Sequence, residues 1–230
     1  TYVIDFGTEF NSILNGADGE EILNQEYQSA WNAFSYDNVD LYYLDINKVS
    51  MVMEARTEGA TTTYYVKIGP GDYSSYLSST FANKKEIEDA DAYIKDIRNQ
   101  VMSILGPYNN AMKIKVVNEW MIDNLSYENI EGNNNKYNLY GAIVETKVVC
   151  EGYARMFKYI MDGLNIPCIL VSGTATNSEG ETELHAWNYV ELNGQWYAVD
   201  VTWNDPVVIG EGELTESQKS KYLLKGKSFL

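Results

Sequence analysis

The chain has 230 residues and a formal net charge of −16, with 45% hydrophobic and 22% charged residues. A chain of this length can build a hydrophobic core without disulfides or a metal, and its charge would repel nucleic acids and anionic membranes. Because no apolar run reaches the ~18 residues that suggest a membrane span, the composition predicts a soluble globular protein without nucleic-acid binding or membrane insertion.

The N-terminal residues have the pattern of a helix followed by two strands. Apolar residues at helical spacing predict a helix over 20–34, and acidic residues in its first turn suit the helix dipole. β-Branched and aromatic residues predict strands over 41–55 and 61–68, joined by a turn at 56–60. We therefore expect a small N-terminal α/β layer over residues 1–75.

The remaining residues, 76–230, are predicted to form a larger domain in which helices precede an antiparallel sheet. A polar loop at 131–135 follows the helix predicted over 109–125, and we interpret it as a solvated loop. The predicted helices are 84–105, 109–125 and 150–163, and the predicted strands are 167–173, 184–192 and 195–202.

Of the two cysteines, Cys150 is the candidate nucleophile. Two cysteines are too few for a disulfide framework, and pairing would silence Cys150. Cys168 follows Pro167 in an apolar run, so we expect it to be a small buried hydrophobe. Cys150 precedes Gly152 at a predicted helix N-terminus, where a thiolate is favoured and free N–H groups can face an oxyanion.

A predicted hairpin brings the only histidine next to an aspartate. A two-residue turn at Asn193-Gly194 pairs Trp187 with Asp200 and His185 with Thr202. His185 and Asp200 are then diagonal neighbours on one face of the sheet, roughly 7 to 8 Å apart at Cα. A slip of one residue would turn Asp200 to the other face, so the prediction depends on the turn.

Cys150, His185 and Asp200 have the chemistry of a thiol acyl-transfer site. A thiolate attacks a carbonyl carbon, an imidazole takes and returns the proton, and a carboxylate fixes the imidazole tautomer. Each residue alone is more often structural, but the three together favour catalysis. No cofactor is needed for this chemistry, and one histidine with few clustered ligands predicts no metal site.

Three sequence blocks resemble the transglutaminase-like superfamily, in particular its bacterial members that are secreted or at the cell surface. They are Val149-Cys150-Glu151-Gly152-Tyr153-Ala154, His185-Ala186-Trp187-Asn188 and Trp196-Tyr197-Ala198-Val199-Asp200-Val201-Thr202-Trp203. The resemblance is strongest over residues 113–206. It implies an α+β fold with a papain-like core, in which the nucleophile begins a helix packed on an antiparallel sheet.

In such enzymes a further donor usually assists the oxyanion. Tyr140, ten residues before Cys150, and Trp203 are candidates for this role or for a substrate contact. Trp187 shares the face of His185 and either covers the His185–Asp200 pair from water or simply packs. Asn188 points away from His185 by strand alternation, and we expect it to anchor the sheet.

The resemblance implies a Cys-His-Asp enzyme that acts through a thioester, and three outcomes remain open. Hydrolysis by a cysteine peptidase or amidase is favoured over protein-glutamine transglutaminase activity with an amine acceptor. The third alternative is a non-catalytic cell-surface binding or scaffolding module. The acidic chain suits a cationic or neutral protein or peptide substrate. We expect an extracellular or cell-surface protein. The first residues have neither a basic start nor a long apolar stretch, so we expect that any signal peptide has been removed or never existed.

Overall fold

The computed structural model describes residues 3–71, 75–176, 180–205 and 214–226. Contacts divide the chain into an N-terminal unit, Thr1–Ser35 with Tyr43–Ile87, and a core unit, Tyr36–Tyr42 with Glu88–Leu230. This division concerns packing, so the sequence-based domain boundary after residue 75 stays a prediction. Among the helices of the described ranges, none is both long and apolar enough to cross a membrane.

The N-terminal unit contains a three-stranded antiparallel sheet and a long helix. Its core is formed by Leu14, Leu23 and Val66, against which Phe6 and Phe10 pack. The strand order is β1-β3-β2. The elements are β1 (Ile4–Gly7), α1 (Asn11–Leu14), α2 (Gly19–Asp37), β2 (Ser50–Glu58) and β3 (Thr61–Gly69).

The strand predicted over 41–55 was wrong in its first half. Strand β2 begins at Ser50, and a 3-10 helix, Ile46–Lys48, precedes it. Asp45 starts this helix because its side chain accepts a hydrogen bond from the Asn47 amide at 3.1 Å. Such a local side-chain bond competes with strand formation, and periodicity does not reveal it.

The core unit begins its helical part as the sequence predicts. Helix α3 spans Lys84–Ile104 and α4 spans Asn110–Asn124, so each end lies within about one residue of its predicted position. Asn109 caps α4 by accepting a hydrogen bond from the Met112 amide at 2.9 Å. The buried face of α4 includes Val117, which is fully buried.

Four short elements between α4 and the nucleophile were not predicted. They are β4 (Ser126–Tyr127), a 3-10 helix (Asn134–Tyr137), a π-helix (Gly141–Glu145) and β5 (Lys147–Val148), which pairs in parallel with β4. The interpretation of 131–135 as a solvated loop was wrong for Asn135, which is buried. The side chains of Asn133 and Asn135 donate to Glu145 at 2.8 and 2.7 Å, so this loop is tied to the π-helix.

Helix α5 (Cys150–Gly163) packs on an antiparallel sheet of order β6-β7-β8. Ala154 on the helix meets Leu170 and Ala186 on the sheet. These small and branched side chains let the helix lie close to the strands. The arrangement confirms the predicted α+β class, with Cys150 at the start of a helix packed on an antiparallel sheet. The strands are β6 (Cys168–Thr176), β7 (Thr182–Leu192) and β8 (Gln195–Val199).

The β7–β8 hairpin has the predicted register but ends earlier than predicted. Asn193 and Gly194 form the turn with φ of 54° and 78°, and the last described pair is Asn188 with Val199. Asp200 leaves the sheet and caps a short helix α6, Val201–Asn204. The strand prediction was therefore wrong over 200–202, and the predicted pairing of His185 with Thr202 is absent from the described ladder.

Gly152 lets the start of α5 approach the preceding strand closely. A Cβ at Gly152 would lie 2.5 Å from the Val148 Cβ and 2.8 Å from the Lys136 carbonyl oxygen. We expect Gly152→Ala to lower the free energy of unfolding by about 1–3 kcal/mol in urea denaturation, because backbone must shift to make room. Gly226→Ala is the control, since a Cβ there meets no atom within 4 Å. Equal stability of both variants would contradict the tight approach.

Candidate active site

Cys150 lies at the first position of α5. It is a partly buried free thiol. Val149 is the N-cap residue and has no side-chain acceptor, and the first helical bond runs from the Tyr153 amide to the Val149 oxygen at 3.2 Å. The N–H groups at the start of the first turn have no partner within the helix. They can therefore bind an oxyanion beside the Cys150 thiol.

His185 and Asp200 form a short polar contact inside the core unit. His185 Nε2 lies 2.7 Å from Asp200 Oδ2, and both side chains are buried. The two residues meet on one side of the sheet, as the hairpin register predicts. Asp200 reaches the imidazole from a helix cap and not from a strand. Because Nε2 is directed at Asp200, Nδ1 is the ring nitrogen left for Cys150.

The two carboxylate oxygens of Asp200 have different partners. Oδ2 contacts His185, whereas Oδ1 accepts a hydrogen bond from the Trp203 amide at 3.0 Å. The second bond is the N-cap of α6, and the Asn204 amide closes the turn on the Asp200 carbonyl oxygen at 3.1 Å. A capped turn fixes the carboxylate orientation. Asp200 thus holds His185 with a side chain that the backbone itself constrains.

The surroundings of His185 favour its charged form. Burial disfavours the imidazolium, but hydrogen bonds and charge interactions with Asp200 and Cys150 outweigh burial and raise the pKa of His185 to about 9. His185 is therefore protonated at neutral pH. A cysteine reacts as its thiolate, and a neighbouring imidazolium is one of the environments in which proteins stabilise that form.

Two of the predicted accessory residues lie against His185. The Trp203 indole stacks on the imidazole with ring centroids 4.7 Å apart, and the Trp187 indole lies nearly parallel to it at 6.0 Å. Gly173 makes room for Trp187, since a Cβ there would lie 3.3 Å from the indole. Trp187 Nε1 is buried and has no hydrogen-bond partner among the described residues, so it is an available donor beside the site.

The other residues singled out in the sequence occupy supporting positions. Tyr140 immediately precedes the π-helix and stacks on Tyr42 with centroids 6.0 Å apart, and its contact with an oxyanion or substrate stays a prediction. Asn188 faces away from His185 and donates to the Ala154 carbonyl oxygen at 3.0 Å, which anchors α5 to the sheet as expected. Cys168 is buried, and burial raises the pKa of its thiol far above the usual range.

Sequence reasoning missed Tyr127, which packs on the helix that begins at Cys150, and Glu183, which lies on the strand of His185. The Tyr127 ring stacks on Tyr153 of α5 with centroids 6.5 Å apart. Burial raises the pKa of Tyr127, and electrostatic interactions with Cys150 and Glu183 raise it further. Glu183 is exposed and shares a strand face with His185 by alternation. Tyr127 was missed because a strand of two residues shows no periodicity.

The charged residues of α5 pair within the helix. Arg155 donates to Glu151 through Nε at 2.9 Å and Nη2 at 2.7 Å, and Lys158 donates to Asp162 at 3.1 Å. Over the described ranges, no three His, Cys, Asp or Glu side chains are grouped so that they could hold a metal ion.

Residues 97–201 match the family model of the Transglutaminase-like superfamily. This segment contains Cys150, His185 and Asp200. Residues 97–201 are therefore similar to the transglutaminase-like superfamily, and a helix packed on an antiparallel sheet is the arrangement that this similarity implies.

Among curated proteins, the chain is similar to Kyphoscoliosis peptidase of Mus musculus and of Homo sapiens, with 25% identity over 157 residues in each case. Each match covers 60% of this chain and 23% of the relative, so the chain spans about a quarter of the length of these relatives. Among solved structures, the crystal structure of a TGase has 15% identity and a TM-score of 0.46, covering 76% of this chain and 50% of that chain.

The raised pKa of His185 can be measured directly because the chain has a single histidine. We expect NMR titration of its ring protons to give a pKa near 9 in the folded protein, and Asp200→Asn to lower it by removing the facing negative charge. Asp205→Asn is the control. It also removes a carboxylate, but Asp205 accepts its hydrogen bond from Tyr153, at 2.7 Å, and not from His185.

The same shift predicts how stability depends on pH. The folded pKa lies above the ordinary value of 6.5, so this contribution is fully present below about pH 6.5 and is lost as the pH rises through about 9. Urea unfolding between those values should show this loss in the native protein and less of it in Asp200→Asn. A pKa of His185 at or below 6.5 in the native protein would contradict the raised pKa.

Proposed function

We propose that the chain catalyses thiol-dependent acyl transfer on peptide or amide bonds. The observation that carries the proposal is the buried 2.7 Å contact between His185 and Asp200 on the sheet that packs against the Cys150 helix. Burial disfavours both the imidazolium and the carboxylate, so the buried pair costs solvation free energy. A catalytic role explains why such a pair lies beside a thiol.

In the proposed reaction, Cys150 Sγ attacks the carbonyl carbon of the substrate as a thiolate. The first-turn N–H groups of α5 stabilise the resulting oxyanion. The C–N bond breaks as the His185 imidazolium donates its proton to the leaving amine, which leaves a thioester on Cys150. The neutral imidazole then takes a proton from water, and the hydroxide equivalent attacks the thioester carbonyl carbon. The C–S bond breaks, which releases the acid and regenerates the Cys150 thiolate beside the His185 imidazolium.

Hydrolysis is the favoured second half of the reaction, as a cysteine peptidase or amidase. Support comes from the similarity to relatives that are named as peptidases. A primary amine in place of water would give a new amide bond, which is the transglutaminase reaction. A non-catalytic binding or scaffolding module is the alternative without chemistry. The experiment below separates these three outcomes.

The proposed substrate is a cationic or neutral protein or peptide at the cell surface or outside the cell, and nucleic acid is not a partner. The net charge of −16 repels polyanions. Exposed Glu183 lies two positions from His185 on one strand face, so it places a negative charge beside the site. The half-exposed Tyr127 ring adds an apolar surface near the same charge.

Alkylation with iodoacetamide tests the nucleophile. We expect rapid labelling of Cys150 at neutral pH and slow labelling of Cys168, because Cys168 is buried with a raised pKa. His185→Ala should slow labelling of Cys150 by at least about tenfold, since the imidazolium is lost. Equally slow labelling of both thiols in the native protein would favour the scaffolding module.

Mass spectrometry of a peptide library, incubated with and without a primary amine, then identifies the reaction. Cleavage indicates a peptidase, deamidation indicates an amidase acting on glutamine, and amine adducts indicate a transglutaminase. All products should disappear in Cys150→Ala, which removes the attacking atom. Products that persist in Cys150→Ala would overturn the proposal.

Substitution of Glu183 tests the substrate charge. We expect Glu183→Gln to reduce the preference for lysine-containing over glutamate-containing peptides by about threefold to tenfold in kcat/KM, since a nearby charge is removed. Glu191→Gln removes the same charge from the far end of the same strand. An equal loss of preference in both variants would assign the effect to net charge.

A further inference from the structure

The candidate site is joined to a segment that lies beyond the matched family region, which ends at residue 201. We define residues 214–226 as the C-terminal strap. Its Tyr222 carbonyl oxygen accepts a hydrogen bond from the Asp200 amide at 3.0 Å. A second link joins Ala198 and Lys225, which exchange backbone bonds at 2.8 and 2.9 Å. The strap therefore continues the backbone pairing of β8 exactly where that strand gives way to the Asp200 cap.

Asn204 ties the Asp200 turn to the strap through its side chain. Its Oδ1 accepts a hydrogen bond from the Tyr222 amide at 2.7 Å, and its Nδ2 donates to Asn118 Oδ1 at 2.8 Å. Asn118 Nδ2 donates in turn to the Lys219 carbonyl oxygen at 2.8 Å. Asn118 and Asn204 are fully buried, so the loss of either amide leaves buried polar groups without partners.

The strap also reaches His185 through an aromatic contact. The Tyr222 ring meets the edge of Trp203 with centroids 5.2 Å apart, and Trp203 stacks on His185 at 4.7 Å. Tyr222 thus contacts the Asp200 backbone with its carbonyl oxygen and the partner of His185 with its ring. Trp203 contacts both members of the His185–Asp200 pair, with its amide on Asp200 and its ring on His185, and its ring also contacts Tyr222.

We infer that Asn204 and the C-terminal strap are positioning elements that set the Asp200 carboxylate against His185. This inference rests on the proposed function of the site. The Asn204 side chain touches no reacting atom, so it acts through Asp200. A change at Asn204 frees the α6 turn, and the Asp200 carboxylate loses its fixed direction toward the imidazole. If the Asn204 amide had only a structural role, its replacement would lower the stability of the protein without changing the pKa of His185.

The titration of His185 separates these two roles. The titratable groups that face His185 are Asp200 and Cys150, and Glu183 lies on the same strand face. We expect Asn204→Ala to lower the pKa of His185 by about one unit and to slow alkylation of Cys150 about tenfold at neutral pH. Val117→Ala is the matched control, because Val117 is fully buried beside Asn118 and outside the amide network.

The outcomes are distinct. A lower Tm in both variants with a shifted titration only in Asn204→Ala supports the inference. If the pKa of His185 is unchanged in Asn204→Ala, or shifts equally in Val117→Ala, the inference is overturned. If Asn204→Ala does not fold, Asn118→Ala replaces it, with a smaller shift expected and an unchanged titration overturning the inference. Failure of the proposed function appears separately, as an unreactive Cys150 in the native protein.

Discussion

The candidate site depends on one carboxylate that makes two different bonds. Asp200 uses Oδ2 to hold His185 and Oδ1 to cap the turn that follows β8. A carboxylate bound only to the imidazole could rotate about its side-chain torsions. The cap removes that freedom, because rotation would break a bond to the backbone. The position of the imidazole is thus set by the capped turn that follows β8.

The sequence predicted the relative placement of His185 and Asp200 but not the structure that achieves it. The turn at Asn193-Gly194 determines the register, and alternation along β7 then determines the face of His185. Val201 and Thr202 are β-branched and extended the strand prediction past Asp200. Asp200 instead forms the N-cap of α6, a position that aspartate prefers, and this ends the strand.

Long elements were predictable because their buried faces repeat many times. Helices α3 and α5 have apolar residues at helical spacing along their whole length, and the structure agrees with their predicted ranges. The parts around Cys150 have no such repetition. Strand β4 and the π-helix are too short for periodicity, and the strap approaches Asp200 through contacts distant in sequence. Tyr127 and Asn204 were therefore accessible only from the fold.

The placement of Asp200 affects the charge of His185, because the hydrogen bond and the negative charge of Asp200 raise the pKa of the imidazole. Burial of an imidazolium and a carboxylate costs solvation free energy, and their attraction offsets it only when the geometry is accurate. A small displacement of Asp200 would leave a buried positive charge without its partner. The pair would then lose its proton or draw in water, and either change would remove the positive charge that the proposed reaction requires beside Cys150. In the proposed reaction, support of Asp200 by the α6 turn is therefore a condition for the reactivity of Cys150.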